Sequence, residues 1–143
     1  MIKLSDYIAK RLKEVYKIKH VFMISGGGAM HLNDSFGKYI PYICNHHEQA
    51  SAIAAEGYAR LNNDLAVVNV TTGPGGLNCL NGVFGQWTDT VPVLYISGQV
   101  KFSTTIASCP DLNLRQLGDQ EVDIISVVKP LTKYAVMIKN PNE

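Results

Sequence analysis

One carboxylate and two glycine-rich turns are the parts of this sequence that could do chemistry. Glu48 stands in His46-His47-Glu48-Gln49, after the apolar run that ends at Cys44 and before an alanine-rich stretch with helical spacing. It therefore falls in the first turn of a helix that follows a buried strand. In an α/β sheet that is the carboxyl edge, where ligands bind. An acid at a helix start complements the helix dipole with no further role, so Glu48 needs partners before it defines a site. His47-Glu48 also begins like the zinc motif H-E-x-x-H. The second ligand position is Ser51, which supplies no imidazole, and the zinc reading fails.

The partners are the turns. Ser25-Gly26-Gly27-Gly28 leaves one apolar run and Gly73-Pro74-Gly75-Gly76 leaves another. The first lacks the G-x-G-x-x-G spacing of dinucleotide sites, and neither carries the Lys-Ser/Thr of a phosphate loop. Glycine still lets backbone approach a ligand closely, with the amides of the next helix facing it. Two such turns and an acid at one sheet edge point to a cofactor site.

Those residues need a scaffold, and the pattern supplies one. Ser5 is expected to cap a first helix that buries Ile8, Leu12 and Val15. Strands are expected at residues 20–24, 41–45, 65–71 and 92–97, with a fifth at 131–138. Between them lie helical patterns: a weak one at 29–38, the Glu48 helix, and the Leu77, Leu80, Phe84, Trp87 stripe. On the Glu48 helix, Ala50, Ile53, Ala54, Gly57, Tyr58 and Leu61 form one face, while Glu56 and Arg60 can pair on the wetter side. Residues 99–118 are a long polar loop, a length that is often functional, and 120–128 is expected to be helical up to Pro130. Strands alternating with helices predict a three-layer, doubly wound α/β domain with a mainly parallel sheet. A helix is owed after 138 to cover the last strand, so residues 1–143 are expected to be one domain cut from a longer chain.

Composition narrows the class. A chain of 143 residues, 46% hydrophobic and 17% charged, suits one soluble domain with a real core. A net charge of +1 gives no field for nucleic acid or a membrane surface. Cys44, Cys79 and Cys109 are widely spaced, and the first two sit in apolar patterns. They are expected to be thiols of a cytoplasmic protein, with Cys44 and Cys79 buried.

The run His47-Glu48-Gln49-Ala50…Ala54…Gly57-Tyr58-Ala59-Arg60, then Gly73-Pro74-Gly75…Asn78, then Pro92…Gly98-Gln99, resembles thiamine diphosphate enzymes. It is similar to the N-terminal, pyrimidine-binding domain of the acetolactate synthase and pyruvate oxidase group. Gln120-Glu121-Val122-Asp123 and Pro130-Leu131-Thr132-Lys133-Tyr134 continue the likeness to the end of the chain. The resemblance implies that Glu48 hydrogen-bonds N1′ of the aminopyrimidine, favouring the tautomer whose 4′-nitrogen takes the proton from thiazolium C2. It implies that Gly73, Pro74, Gly75 and Asn78 shape the wall near the pyrimidine, that Gly26 and Gly27 lie near the reacting centre, and that Gln120 faces the substrate. The activity implied is decarboxylation or carboligation of a 2-oxo acid in a homodimer or homotetramer.

The diphosphate and its Mg2+ would need the family's Gly-Asp-Gly…Asn motif, which is absent from this chain. The resemblance therefore implies a partner diphosphate-binding domain, from the same or another chain, and no metal ligand here. FAD, where the family carries it, belongs to a middle domain. Three departures stand out: Ser25 replaces a common proline, His46 a common arginine, and Asp119 a common phenylalanine. Asp119 would put a polar group at the substrate mouth and points to a more polar 2-oxo acid than pyruvate. Two alternatives keep the same residues in other roles. One is a non-ligating decarboxylase with its two cofactor domains on separate chains, and the other a flavodoxin-like binding domain without chemistry.

Overall fold

A computed structural model describes residues 2–142; the ends of the expected domain, Met1 and Glu143, lie outside the described residues. The order is α1 (Leu4–Glu14), β1 (Val21–Met23), α2 (Met30–Tyr39), β2 (Tyr42–Cys44), α3 (Glu48–Asn62), β3 (Ala66–Val70), α4 (Pro74–Leu77), α5 (Leu80–Asp89), β4 (Val93–Ser97) and α6 (Ile124–Val128). The four strands form one parallel sheet in the order β2-β1-β3-β4. Successive side chains of a strand point to opposite faces. Ala66, Val68 and Val70 of β3 accordingly pack with Ala52, Ala55 and Ala59 of α3 and Val83 of α5. Val67 joins Ala9, Leu12 and Phe36 of α1 and α2 on the other face. This is the three-layer arrangement expected from the alternation of strands and helices.

The chain leaves β1 towards β2 on one side and leaves β3 towards β4 on the other. The carboxyl ends of β1 and β3 thus flank the point where the winding reverses, the place where open α/β sheets bind ligands. Both glycine turns lie there.

Several expectations are corrected. Ser5 is not the cap of α1, which starts after Lys3 without a side-chain cap; Ser5 is buried and accepts a 2.9 Å hydrogen bond from the Ser35 hydroxyl. Val15 is exposed, because α1 ends one residue before it. Cys44 is exposed, since β2 is an edge strand whose three residues are all exposed. The helix expected at 120–128 covers only Ile124–Val128, with the Asp123 carboxylate capping it by accepting from the Ser126 amide.

The expected fifth strand does not form. Residues 132–139 run without strand pairing, and Tyr134, Val136 and Ile138 are exposed. A parallel strand is normally covered on both faces, and no helix follows among the described residues to cover this one.

The apolar stripes of α3 and α5 are rotated from the expected faces. The sheet side of α3 is centred on Ser51, Ala52, Ala55 and Ala59; of the expected face, Ala54 and Tyr58 pack partly buried against the same core, whereas Ala50, Ile53, Gly57 and Leu61 point outward. On α5 the buried residues are Gly82, Val83 and Gln86, with Phe84 and Trp87 exposed. Small residues allow this close packing, since a Cβ on Gly82 would sit 2.5 Å from Ala52 Cβ. Gly82→Ala should overpack the α3/α5 contact and cost about 1–3 kcal/mol, read from denaturant midpoints. The Glu56–Arg60 pair forms as expected, and Arg60 also reaches Asp89 on α5.

On the far face, the Asp34 carboxylate accepts from Lys38 and Lys3. Those hydrogen bonds, Lys38's foremost, hold its pKa at about 2 instead of 3.8. A carboxyl lowered on folding stabilises the fold above its ordinary value and ceases to as pH falls through the folded value. The small stability deficit of Asp34→Asn near pH 5 should therefore vanish as the pH approaches 2.

Candidate functional site

Glu48 opens α3 directly behind β2. His47 precedes it in extended backbone and caps the helix, its Nδ1 accepting a 3.1 Å hydrogen bond from the Gln49 amide. The cap leaves the Glu48 side chain free to turn towards the neighbouring glycine loop. Its Oε2 accepts a 2.9 Å hydrogen bond from Nδ2 of Asn78, just past α4. Its Oε1 lies 3.6 Å from where a Gly75 side chain would begin. The carboxylate is half-buried. Cys79 lies beneath it, the thiol 3.6 Å from the Glu48 carbonyl oxygen, and burial, then the nearby Glu48 charge, push that thiol up to about 12. Cys79 is thus a neutral, inert part of the floor.

The second turn needs its glycines for two reasons. Gly73 has φ +57° and ψ −116°, a conformation that side chains disfavour. A Cβ there would also overlap the carbonyl oxygen of Gln120. At Gly75 a Cβ would press on Thr71 Cγ2 at 2.8 Å and crowd the Glu48 side. Space beside the carboxylate therefore exists because no side chain fills it.

The first turn meets the second through Thr71, at the end of β3. The Thr71 hydroxyl accepts a 3.0 Å hydrogen bond from the Gly28 amide, and Thr71 Cβ lies 2.5 Å from where a Gly26 side chain would begin. The Gly26 carbonyl also accepts from the Asn33 side chain, which in turn accepts from the side-chain amide of Asn69 on β3 at 2.6 Å. Gly98, at the end of β4, packs against the Gly28 carbonyl with no room for a side chain.

The structure thus brings Gly26, Gly73, Gly75, Asn78, Glu48 and Gln120 into one neighbourhood at the winding reversal. Gly27 faces open space, and Pro74 is exposed at the start of α4. Gln120 meets Gly73 through its backbone carbonyl, and its residue is exposed.

Reasoning from sequence assigned no site role to Thr71, or to Gln99 and Glu121, which it placed only in the runs that carry the resemblance. A β-branched hydroxyl residue at a strand end, next to a glycine turn, was the available signal for Thr71. Gln99 Oε1 accepts from the Thr72 hydroxyl at 2.6 Å and from the Val100 amide, while its Nε2 donates to the Val122 carbonyl at 3.2 Å.

A cavity of about 590 Å³ lies behind Gln99 and Glu121, between the 105–114 segment and residues 135–139. It contains neither Glu48 nor either glycine turn. It is the space beneath a long loop, whereas the Glu48 neighbourhood is an open surface with convergent polar groups.

Residues 2–127 match the family described as "Thiamine pyrophosphate enzyme, N-terminal TPP binding domain". The chain is similar to the acetolactate synthase large subunit of Lactococcus lactis, 32% identical over 137 residues, covering 94% of this chain and 22% of the relative. It is 33% identical over 128 residues to that of Haemophilus influenzae, covering 88% and 21%. The Cyanidium caldarium protein is 32% identical over 135 residues, covering 90% and 21%. The chain spans about a fifth of the length of these relatives.

Proposed function

This chain belongs to the thiamine pyrophosphate enzymes, as their N-terminal TPP binding domain, and we propose that it holds the cofactor's aminopyrimidine in a 2-oxo acid decarboxylase or carboligase of the acetolactate synthase type. The observation that carries this reading is the Glu48 carboxylate, tied to Asn78 and facing the side-chain-free wall of Gly75.

The residues present fit the group. Glu48 offers an oxygen to a ring nitrogen and can share or hold its proton, with Asn78 fixing the carboxylate's direction. Gly73 to Gly75 leave room for a flat ring, and Thr71 keeps the two glycine turns in fixed relation. Thiamine diphosphate, when bound, supplies a carbon nucleophile and an electron sink for decarboxylation. The chain's own contribution is position and proton handling at one ring atom. A flavodoxin-like binding domain without chemistry gives no reason for the Glu48–Asn78 pair.

The site is open, and this supports completion by a diphosphate-binding domain that brings Mg2+. The outward stripes of α3 and α5 support the same conclusion. Ile53, Leu61, Phe84 and Trp87 leave apolar surface uncovered, Leu61 being 87% exposed. We assign that face to the partner domain or to a second copy in a homodimer or homotetramer. Among the described residues no helix is long and apolar enough to cross a membrane, and all three cysteines are free, which suits a cytoplasmic enzyme.

Two tests follow. The 143-residue chain alone should show no turnover of pyruvate with thiamine diphosphate and Mg2+, whereas a form that includes the diphosphate domain should be active. Turnover by the chain alone would overturn the half-site reading. Asp119, beside Gln120 in an exposed turn, favours a polar 2-oxo acid. Steady-state rates with pyruvate and a panel of hydrophilic 2-oxo acids check this, and a clear preference for pyruvate would refute it.

A further inference from the structure

Gln120 is held in an unfavourable backbone conformation by side chains whose hydrogen bonds go to none of Glu48, Gly73, Pro74, Gly75 or Asn78. Its φ is +55°, a region that glycine and asparagine enter easily and glutamine does not. It is the third residue of a turn closed by the Glu121 amide donating to the Gly118 carbonyl at 3.2 Å. That turn presses the Gln120 carbonyl against Gly73, itself at φ +57°. Conformations of this kind persist only when the surroundings fix them.

The surroundings do so from both sides of Gln120. Glu121 gathers three backbone amides on one carboxylate: Oε1 accepts from Ile106 at 2.8 Å, and Oε2 from Leu117 at 3.3 Å and Gly118 at 3.1 Å. Both ends of the 106–118 loop are thereby pinned to the residue next to Gln120. Gln99 pins the other side, bridging the Thr72 hydroxyl, one residue before Gly73, to the Val122 carbonyl. A carboxylate that accepts several backbone amides is a strong fastening, because each hydrogen bond is charge-assisted.

We propose that Glu121 and Gln99 are positioning residues: together they latch the Gly118–Val122 turn onto the second glycine loop and so set where Gln120 meets the 2-oxo acid. This rests on the reading of Gln120 as the substrate-side residue. It predicts that loosening the latch weakens substrate binding and leaves the cofactor's pyrimidine wall intact, since the Glu48–Asn78 hydrogen bond shares no partner with those of Glu121 and Gln99.

The test uses the full-length protein with thiamine diphosphate and Mg2+. The probe is whichever member of a 2-oxo acid panel, pyruvate included, the wild type turns over fastest. Glu121→Gln places an amide where only acceptors fit, and Gln99→Glu keeps the acceptor for Thr72 but removes the donor to Val122. Either change should raise KM for the probe about tenfold, equivalent to about 1.4 kcal/mol or roughly one hydrogen bond. The cofactor Kd should stay within about twofold, the ordinary scatter of an uncoupled site. Amide exchange across 106–122, followed by mass spectrometry, should quicken in both variants. Faster exchange with an unchanged KM would reduce the latch to a structural role and overturn the proposal. Unchanged exchange in both variants would mean there is no latch. Gln120→Ala separates the two layers. If it leaves KM unaltered, the substrate-side reading is wrong and the proposal goes with it. If it raises KM while the latch variants do not, only the proposal fails. If no 2-oxo acid is turned over, the reading of the substrate and the proposal both fall.

Discussion

Replacing Glu48 with glutamine in the full-length protein is expected to lower thiamine diphosphate-dependent turnover by about a hundredfold or more, the range lost when a positioned acid–base group is removed. The substitution is close to isosteric. The amide oxygen that replaces a carboxylate oxygen can still accept from Asn78, as the carboxylate does at 2.9 Å, and the side chain is only half-buried. The fold and the cap on α3 should therefore survive, with thermal stability close to wild type. What the variant lacks is a group that can take and return a proton. Asn78→Ala, which removes the tether and leaves the carboxylate, should cost less. An unaffected rate in Glu48→Gln would mean that the carboxylate is only a helix-start acid complementing the dipole.

The second large effect concerns the backbone. Gly73→Ala should destabilise the domain by about 3 kcal/mol and reduce activity with it, combining an unfavourable φ/ψ with an overlap that cannot relax by side-chain rotation. Gly73 has φ +57°, and the overlapping atom is the backbone carbonyl of Gln120. Relief would require moving the Gly118–Glu121 turn, which three amide hydrogen bonds to Glu121 hold in place. Gly27→Ala is the control for stability. A Cβ there meets nothing within 4 Å, so its cost should stay within about 0.5 kcal/mol, as for ordinary surface changes. Equal costs for the two, measured by denaturant unfolding, would contradict the geometry described for Gly73.

That contrast also shows what was legible in the sequence. The glycine clusters marked the correct sheet edge, because glycine after an apolar run is a local signal. Which glycine was indispensable depended on Gln120, far along the chain, through a turn whose positive φ no propensity would predict. The four strands were placed within a residue or two, since each is a short apolar run bounded by turn signals. The run at 131–138 was also expected to be a strand and did not pair, and no helix among the described residues follows it.

The error on α3 has a physical cause as well. Ala50, Ile53, Gly57 and Leu61 are more hydrophobic as a set than Ala52, Ala55 and Ala59, so periodicity favoured the wrong stripe. The sheet selected alanines because α3 packs close to β3 and to Gly82 of α5. The larger apolar residues were left for the outside, and periodicity alone cannot distinguish a face that meets the core from one that meets a partner. Cys44 was misplaced for the same reason, as a residue of an apolar run on an exposed edge strand. The roles of Thr71, Gln99 and Glu121 were not legible because they lie in contacts between separate segments of the chain.

The central claim is that Glu48 handles the proton of a bound aminopyrimidine, and deuterium uptake at C2 of the bound cofactor tests it most directly, without any need to know the substrate. The full-length protein should accelerate that uptake far above the rate for free thiamine diphosphate, and Glu48→Gln should remove about two orders of magnitude of the acceleration while still binding the cofactor. Equal uptake by wild type and variant, both with cofactor bound, would contradict the account at its central residue.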